Sequence, residues 1–149
     1  MIAVVQRVSQ ASVTIDAKKT AEIGTGLVIL VGIEEADHET DVDWLAAKVA
    51  NLRIFSDPEG KMNESLIAVS GELLIISQFT LHASTRKGNR PSFIKAARPE
   101  HAIPLYEDFI AKIGAFGLPV KTGKFGADMK IQLVNDGPVT LIIDTQNKQ

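Results

Sequence analysis

The opening stretch of the chain has the rhythm of β-structure. Across residues 2–15, Val4, Val8, Val13 and Ile15 are interleaved with polar residues, the period-two pattern of half-buried strands. Residues 9–12 interrupt it, so the stretch reads as two strands, with a turn at residues 16–19. Gly24 and Gly26 mark a further turn before residues 27–33, whose continuous apolar character predicts a central strand covered on both faces. Between Asp37 and Asn51 the period changes: Val42, Leu45, Val49 and Leu52 recur at three and four residues, predicting an amphipathic helix. Thr40 is its expected cap, with Asp41 and Asp43 in the first turn, where the helix dipole favours negative charge.

Residues 56–61 are a turn by composition, and residues 72–81 return to strand character. A second helix is predicted over residues 100–114, where Ala102, Leu105, Phe109, Ile110 and Ile113 line one face. Pro104 removes a helical hydrogen bond, so the regular part is expected to begin nearer Ile103. Two last strands, residues 129–134 and 139–144, are joined through Asn135-Asp136-Gly137-Pro138, and residues 145–149 read as a frayed polar tail. No repeat or flexible linker divides the 149 residues. The expectation is a single compact domain of mixed α/β (α+β) class, a curved, mostly antiparallel or barrel-like sheet with two packed helices.

Composition narrows the chemistry. At 45% apolar residues and a net charge of −2, the chain is neither disordered nor strongly basic. It has no cysteine, which excludes disulfides, thiolate metal sites and a cysteine nucleophile. His38, His82 and His101 stand far apart in sequence and form no paired-ligand motif, so neither a metal nor another cofactor is expected. The opening residues lack a signal-peptide core, and the longest apolar run, residues 27–31, is far short of the roughly 20 residues that cross a bilayer. A cytoplasmic protein without a membrane role is the expectation.

Three segments carry candidate chemistry. Ser77-Gln78-Phe79-Thr80-Leu81 places polar side chains at the end of an apolar strand. Continued at period two, it would put Gln78, Thr80 and His82 on one face, with Thr80 a candidate nucleophile and His82 its base. The following loop carries Arg86, Lys87, Arg90, Lys95 and Arg98, with no acidic residue between Gln78 and Pro99. Such a loop suits RNA phosphates, with Phe93 as an apolar or stacking contact, although a solvated loop accounts for it equally well. The third, Asn135 to Thr140, reads as a hairpin turn, or as a rigid Gly-Pro turn holding carbonyl oxygens toward a ligand.

Taken together, these segments resemble the D-aminoacyl-tRNA deacylase family. The resemblance runs through Ala3-Val4-Val5-Gln6-Arg7-Val8, Asn51-Leu52-Arg53-Ile54-Phe55, Gly60-Lys61-Met62-Asn63 and the Ser77 to Leu81 motif. It continues through Thr85-Arg86-Lys87-Gly88, Arg90-Pro91-Ser92-Phe93, residues 122–129 and Asn135 to Thr140, covering almost the whole chain. It implies a homodimer whose Gly137-Pro138 turn, in cis, enters the partner's active site as a chirality filter, with Arg7 supporting the turn. It further implies an aminoacylated tRNA substrate, an active site formed by Ser77, Gln78, Phe79 and Thr80, and tRNA contacts from Arg86, Lys87 and Arg90. The family's proposed use of the terminal ribose 2′-hydroxyl weakens the Thr80 nucleophile. Gly137 favours the D-specific enzymes over relatives that remove L-alanine, for which Thr is expected at this position.

Overall fold

A computed structural model describes residues 1–148. Its spine is one long strand, β1 (Ile2–Ile15), which pairs antiparallel with β2 (Lys18–Ile23) and β3 (Gly26–Gly32) along one edge and with β8 (Lys130–Asp144) along the other. The two strands expected over residues 2–15 are therefore one. The interruption is a bulge: β1 advances from Val8 to Gln10 while β8 moves only from Asn135 to Val134. An extra residue shifts the pleat by one and exchanges its faces. Before the bulge Ala3 and Val5 face the helices and Val8 the barrel interior; after it the interior positions are Ala11 and Val13.

Beyond β3 the sheet turns parallel, with β6 (Glu72–Ser77) beside β3 and β7 (Val120–Thr122) beside β6. Parallel neighbours need a crossover, and the two crossovers carry α1 (Glu39–Asn51) and α2 (Pro99–Gly114). The first also contains a small hairpin, β4 (Phe55–Ser56) with β5 (Met62–Glu64). Alternation along the central strands then separates two apolar layers. Leu27, Ile29, Leu73 and Ile75 pack toward Leu45, Phe109 and Ile113, whereas Val28, Leu74 and Ile76 fill the nearly closed barrel with Val13 and Ile23. Burial of β3 on both faces follows the prediction for a central strand.

Several local expectations are corrected. Helix α1 is capped at His38, whose amide donates to the Asp41 carboxylate at 3.0 Å, not at Thr40. Helix α2 starts at Pro99, where a missing amide hydrogen is harmless. It runs straight through the exposed Pro104 because Ala102, Tyr106, Phe109 and Ile113 bury its inner stripe. Lys112 joins the helices: its ammonium lies 2.5 Å from Asp43, 2.9 Å from Asp108 and 3.1 Å from Glu39, and those carboxylates hold its pKa above the ordinary lysine value.

The tail expected to fray at residue 145 is anchored at its start. Thr145 is buried, its amide donates to the Met1 carbonyl at 2.9 Å, and its hydroxyl accepts from the Met1 ammonium at 2.7 Å. That ammonium also forms a fully buried ion pair with Asp37, and the Gln146 side-chain amide donates to Asp37 at 3.1 Å. The first and last strands are thereby fastened together. Gln149, at the end of the expected tail, lies outside the described residues.

Candidate active site

Because β3 and β6 run parallel, their C-terminal ends open on the same side of the sheet, where strand ends diverge and helices leave room for a ligand. A cleft of about 300 Å³ lies there, bounded by Val31 and Ile33 at the end of β3, by Ser77, Gln78 and Phe79 at the end of β6, by Ala97 and Ala102 at the start of α2, and by residues 125–129 before β8. The strand expected to continue to Leu81 stops at Ser77. The Gln78 amide makes one further ladder bond, to the Val31 carbonyl at 2.8 Å, and residues Phe79–His82 then coil into a 3-10 turn.

This change of backbone decides which side chains can cooperate. The period-two grouping of Gln78, Thr80 and His82 does not form. Ser77, Gln78 and Phe79 line the cleft, while Thr80 is not part of its wall, and its hydroxyl accepts a hydrogen bond from the Gln78 side-chain amide. His82 is 6% exposed, its Nε2 has no hydrogen-bond partner, and it makes no bond to Thr80. The nucleophile and base sketched from the sequence are thus not assembled. Among the cleft-lining residues Asp128 alone has an ionisable side chain, and its carboxylate is paired with Lys130 at 3.0 Å.

The 3-10 turn has another consequence. Its first amides, those of Phe79 and Thr80, lack an intrahelical acceptor, as at any helix start, and donate to no acceptor among the described residues. The strand that leads to the turn is tied to α2. The Tyr106 hydroxyl donates to the Ile75 carbonyl at 3.0 Å, and burial raises the Tyr106 pKa to about 12, so it stays a neutral donor.

The segment Asn135 to Thr140 is no hairpin. Val8 pairs with Asn135 and Gln6 with Thr140, so β8 continues in one direction and ejects residues 136–138 as a protruding loop, with Val139 turned back into the core. Asn135 closes its neck, donating to the Thr140 hydroxyl at 2.9 Å and accepting from the Val139 amide at 3.1 Å. Arg7 braces it: Nε donates to the Asp136 carbonyl at 3.0 Å while Nη1 donates to the Ile54 carbonyl at 2.6 Å. The Gly137-Pro138 peptide is cis, both residues are exposed, and neither lines the cleft of its own chain. Gly137 has φ +131°, and a Cβ there would lie 2.8 Å from Val139 Cγ2 and 3.1 Å from Arg7 Nη2. Only glycine fits without displacing its neighbours.

Arg86, Lys87 and Arg90 lie together on an exposed loop, closed at its neck by reciprocal bonds between Ser84 and Ser92 of 2.8 and 2.9 Å. None forms an ion pair among the described residues. Val31, Ile33, Ala97 and Ala102 join the cleft wall with no signal in the sequence, since ordinary apolar and small residues carry no chemical signature, and residues 125–129 stand out there only as part of the family resemblance.

Comparison with known proteins places this architecture. The family model described as D-Tyr-tRNA(Tyr) deacylase matches residues 4–144. A protein of Cytophaga hutchinsonii named D-aminoacyl-tRNA deacylase is 62% identical, and one of Parabacteroides distasonis with the same name is 59% identical, each over 100% of both chains. Among solved structures, one described as c-Myc DNA Unwinding Element Binding Protein has 39% identity over 97% of this chain and 98% of that one, with a TM-score of 0.90. A structure described as a probable eukaryotic D-amino acid tRNA deacylase shares the fold at TM-score 0.82 and 19% identity, over 95% of this chain and 97% of that one. The chain belongs to the D-Tyr-tRNA(Tyr) deacylase family and is, with it, a hydrolase acting on ester bonds.

Proposed function

We propose that this protein hydrolyses the ester between a D-amino acid, or achiral glycine, and the 3′-terminal adenosine of tRNA, and that it does so without a protein nucleophile. The observation that carries the second half is the cleft wall itself: it offers amides, a hydroxyl and apolar surface, with no nucleophile beside a base. Water attacks the ester carbonyl, assisted by the ribose 2′-hydroxyl of the terminal adenosine. The resulting oxyanion is stabilised by prearranged donors, of which the Phe79 and Thr80 amides are the unpaired ones. Collapse releases the free amino acid and returns a proton to the ribose 3′-oxygen.

Chirality is read by the Gly137-Pro138 loop of a second subunit. Gly137 and Pro138 are exposed and line no part of their own cleft, so the site they serve is that of another copy, and a two-fold dimer lets each loop enter the other's cleft. Exposed Val134 and Ile142 on β8 provide apolar surface for that association. Backbone carbonyls in the loop accept the substrate ammonium and leave no room for a side chain on the L side, so selectivity arises from steric rejection. Arg86, Lys87 and Arg90 neutralise RNA phosphates. A tRNA substrate fits a cytoplasmic enzyme.

The test is deacylation of D-tyrosyl-, L-tyrosyl- and glycyl-tRNA by purified protein, with mass measured in solution. Cleavage of the first and third by a dimer is expected. Equal rates on the D and L esters, or full discrimination by a monomer, overturn the proposal.

A further inference from the structure

Two neighbouring aromatic side chains remain in water, Phe79 on the cleft wall at 57% exposure and Phe93 against it at 36%. Their rings meet edge to face, with centroids 5.2 Å apart and planes at 77°. Phe79 also lines the cleft. Phe93 immediately follows Ser92, the residue that closes the neck of the basic loop. Aromatic surface therefore runs without a break from the cleft to the loop of Arg86, Lys87 and Arg90. Lys95 and Arg98 continue the positive charge on the other side of Phe93, and both are exposed and free of ion pairs among the described residues. With no acidic residue between Gln78 and Pro99, this strip complements a polyanion that also carries flat apolar groups. Single-stranded nucleic acid has that combination: phosphates engage cations while splayed bases stack on aromatic rings.

We propose that Phe93, buttressed by Phe79, is a stacking platform for the nucleotide immediately preceding the terminal adenosine of the tRNA, and that it steers the strand from the cleft onto the basic loop. The inference rests on the deacylase reading. If the esterified adenosine occupies the cleft, the next nucleotide leaves across the Phe79–Phe93 edge before its phosphate reaches the cations. Stacking does not select a base, so the platform serves any tRNA presenting an unpaired 3′ end. It contributes to substrate binding, not to chemistry.

The experiment uses a D-tyrosyl RNA minihelix with an intact 3′ end and the same minihelix made abasic at the position before the terminal adenosine. Wild-type protein, Phe93→Ala and Phe93→Trp are compared, with circular dichroism and solution mass as controls. On the intact substrate Phe93→Ala is expected to raise KM about tenfold with little change in kcat, the range of one lost base–aromatic stack, and Phe93→Trp to restore it. On the abasic substrate the difference between wild type and Phe93→Ala should largely vanish. An equal penalty on both substrates, a fall in kcat at constant KM, or a change in dimer mass overturns the platform, because Phe93 then acts through the cleft or the subunit interface. Wild-type protein inactive on the intact ester overturns the deacylase reading itself. Active wild type with an indistinguishable Phe93→Ala overturns the platform alone.

Discussion

Replacing Gly137 by Val tests the protruding loop most directly, because the structure supplies both the strain and the restoring forces. At φ +131° a residue with a side chain is held in a region that glycine alone populates freely, at a cost on the order of 1–3 kcal/mol. The added Cβ would also lie 2.8 Å from Val139 Cγ2 and 3.0 Å from the Val139 amide nitrogen, the latter backbone that cannot rotate away. Against this stand three hydrogen bonds that shape the loop: Arg7 to Asp136, Asn135 to Thr140, and Val139 to Asn135. Each contributes about 1 kcal/mol. Strain and restoring forces are comparable, so the loop rearranges. The loop lends the sheet and helix layers a single buried side chain, Val139, so those layers remain folded against a total stability of about 5–15 kcal/mol. A displacement of about 1 Å at a substrate-positioning element is enough to cost on the order of 100-fold in rate. The expected outcome is a folded dimer whose D-tyrosyl-tRNA deacylation falls at least that far, with diminished discrimination against the L ester. The assay is paired deacylation of D- and L-tyrosyl-tRNA, with circular dichroism and solution mass as controls. A folded, dimeric Gly137→Val protein with wild-type rate and selectivity refutes the assignment of chiral recognition to this loop.

Thr80→Ala removes the acceptor of the Gln78 amide and should slow deacylation by about tenfold or less, whereas loss of a true nucleophile costs several orders of magnitude. A tRNA ending in 2′-deoxyadenosine should suffer more than this variant, and full activity on it rules out assistance by the 2′-hydroxyl. Asp37→Asn leaves the buried Met1 ammonium without its counter-charge, a loss of about 3–5 kcal/mol. In a chain of this size that lowers Tm on the order of 10 °C, and a shift within about 1 °C in a thermal melt contradicts the role given to this pair. Tyr106 has a folded pKa of about 12 against an unfolded value near 10, so the fold favours its neutral form. Its contribution is complete below about pH 10 and is lost as pH rises toward 12. Denaturant titrations should therefore show stability falling through that window, with a shallower fall in Tyr106→Phe. Equal slopes for the two proteins contradict the assignment.

The sequence alone determined what depends on near neighbours. The apolar run beginning at Leu27 marked a doubly covered strand, and the three- and four-residue spacing of Val42, Leu45 and Val49 marked α1, because each pattern follows from the geometry of its own element. The motif segments also located Ser77, Gln78 and Phe79, and they identified the family resemblance. Tertiary structure decided the rest. Whether residues 2–15 made two strands or one depended on β8, which pairs across the bulge and keeps them continuous. Whether Pro104 delayed the start of α2 depended on the core beneath Tyr106 and Phe109, whose burial outweighs one missing hydrogen bond. Asn135 to Thr140 is a turn by composition, yet β1 pairs with the chain on both sides of it, which makes the segment a projecting loop where a hairpin was expected. The same dependence governs the site. Period two placed Thr80 beside His82 until the backbone left the sheet at Ser77 and coiled, and no local pattern announces that change. Arg7 lies 129 positions from the Asp136 carbonyl it holds, and contacts at such separation are made by the folded sheet, where β1 and β8 become neighbours.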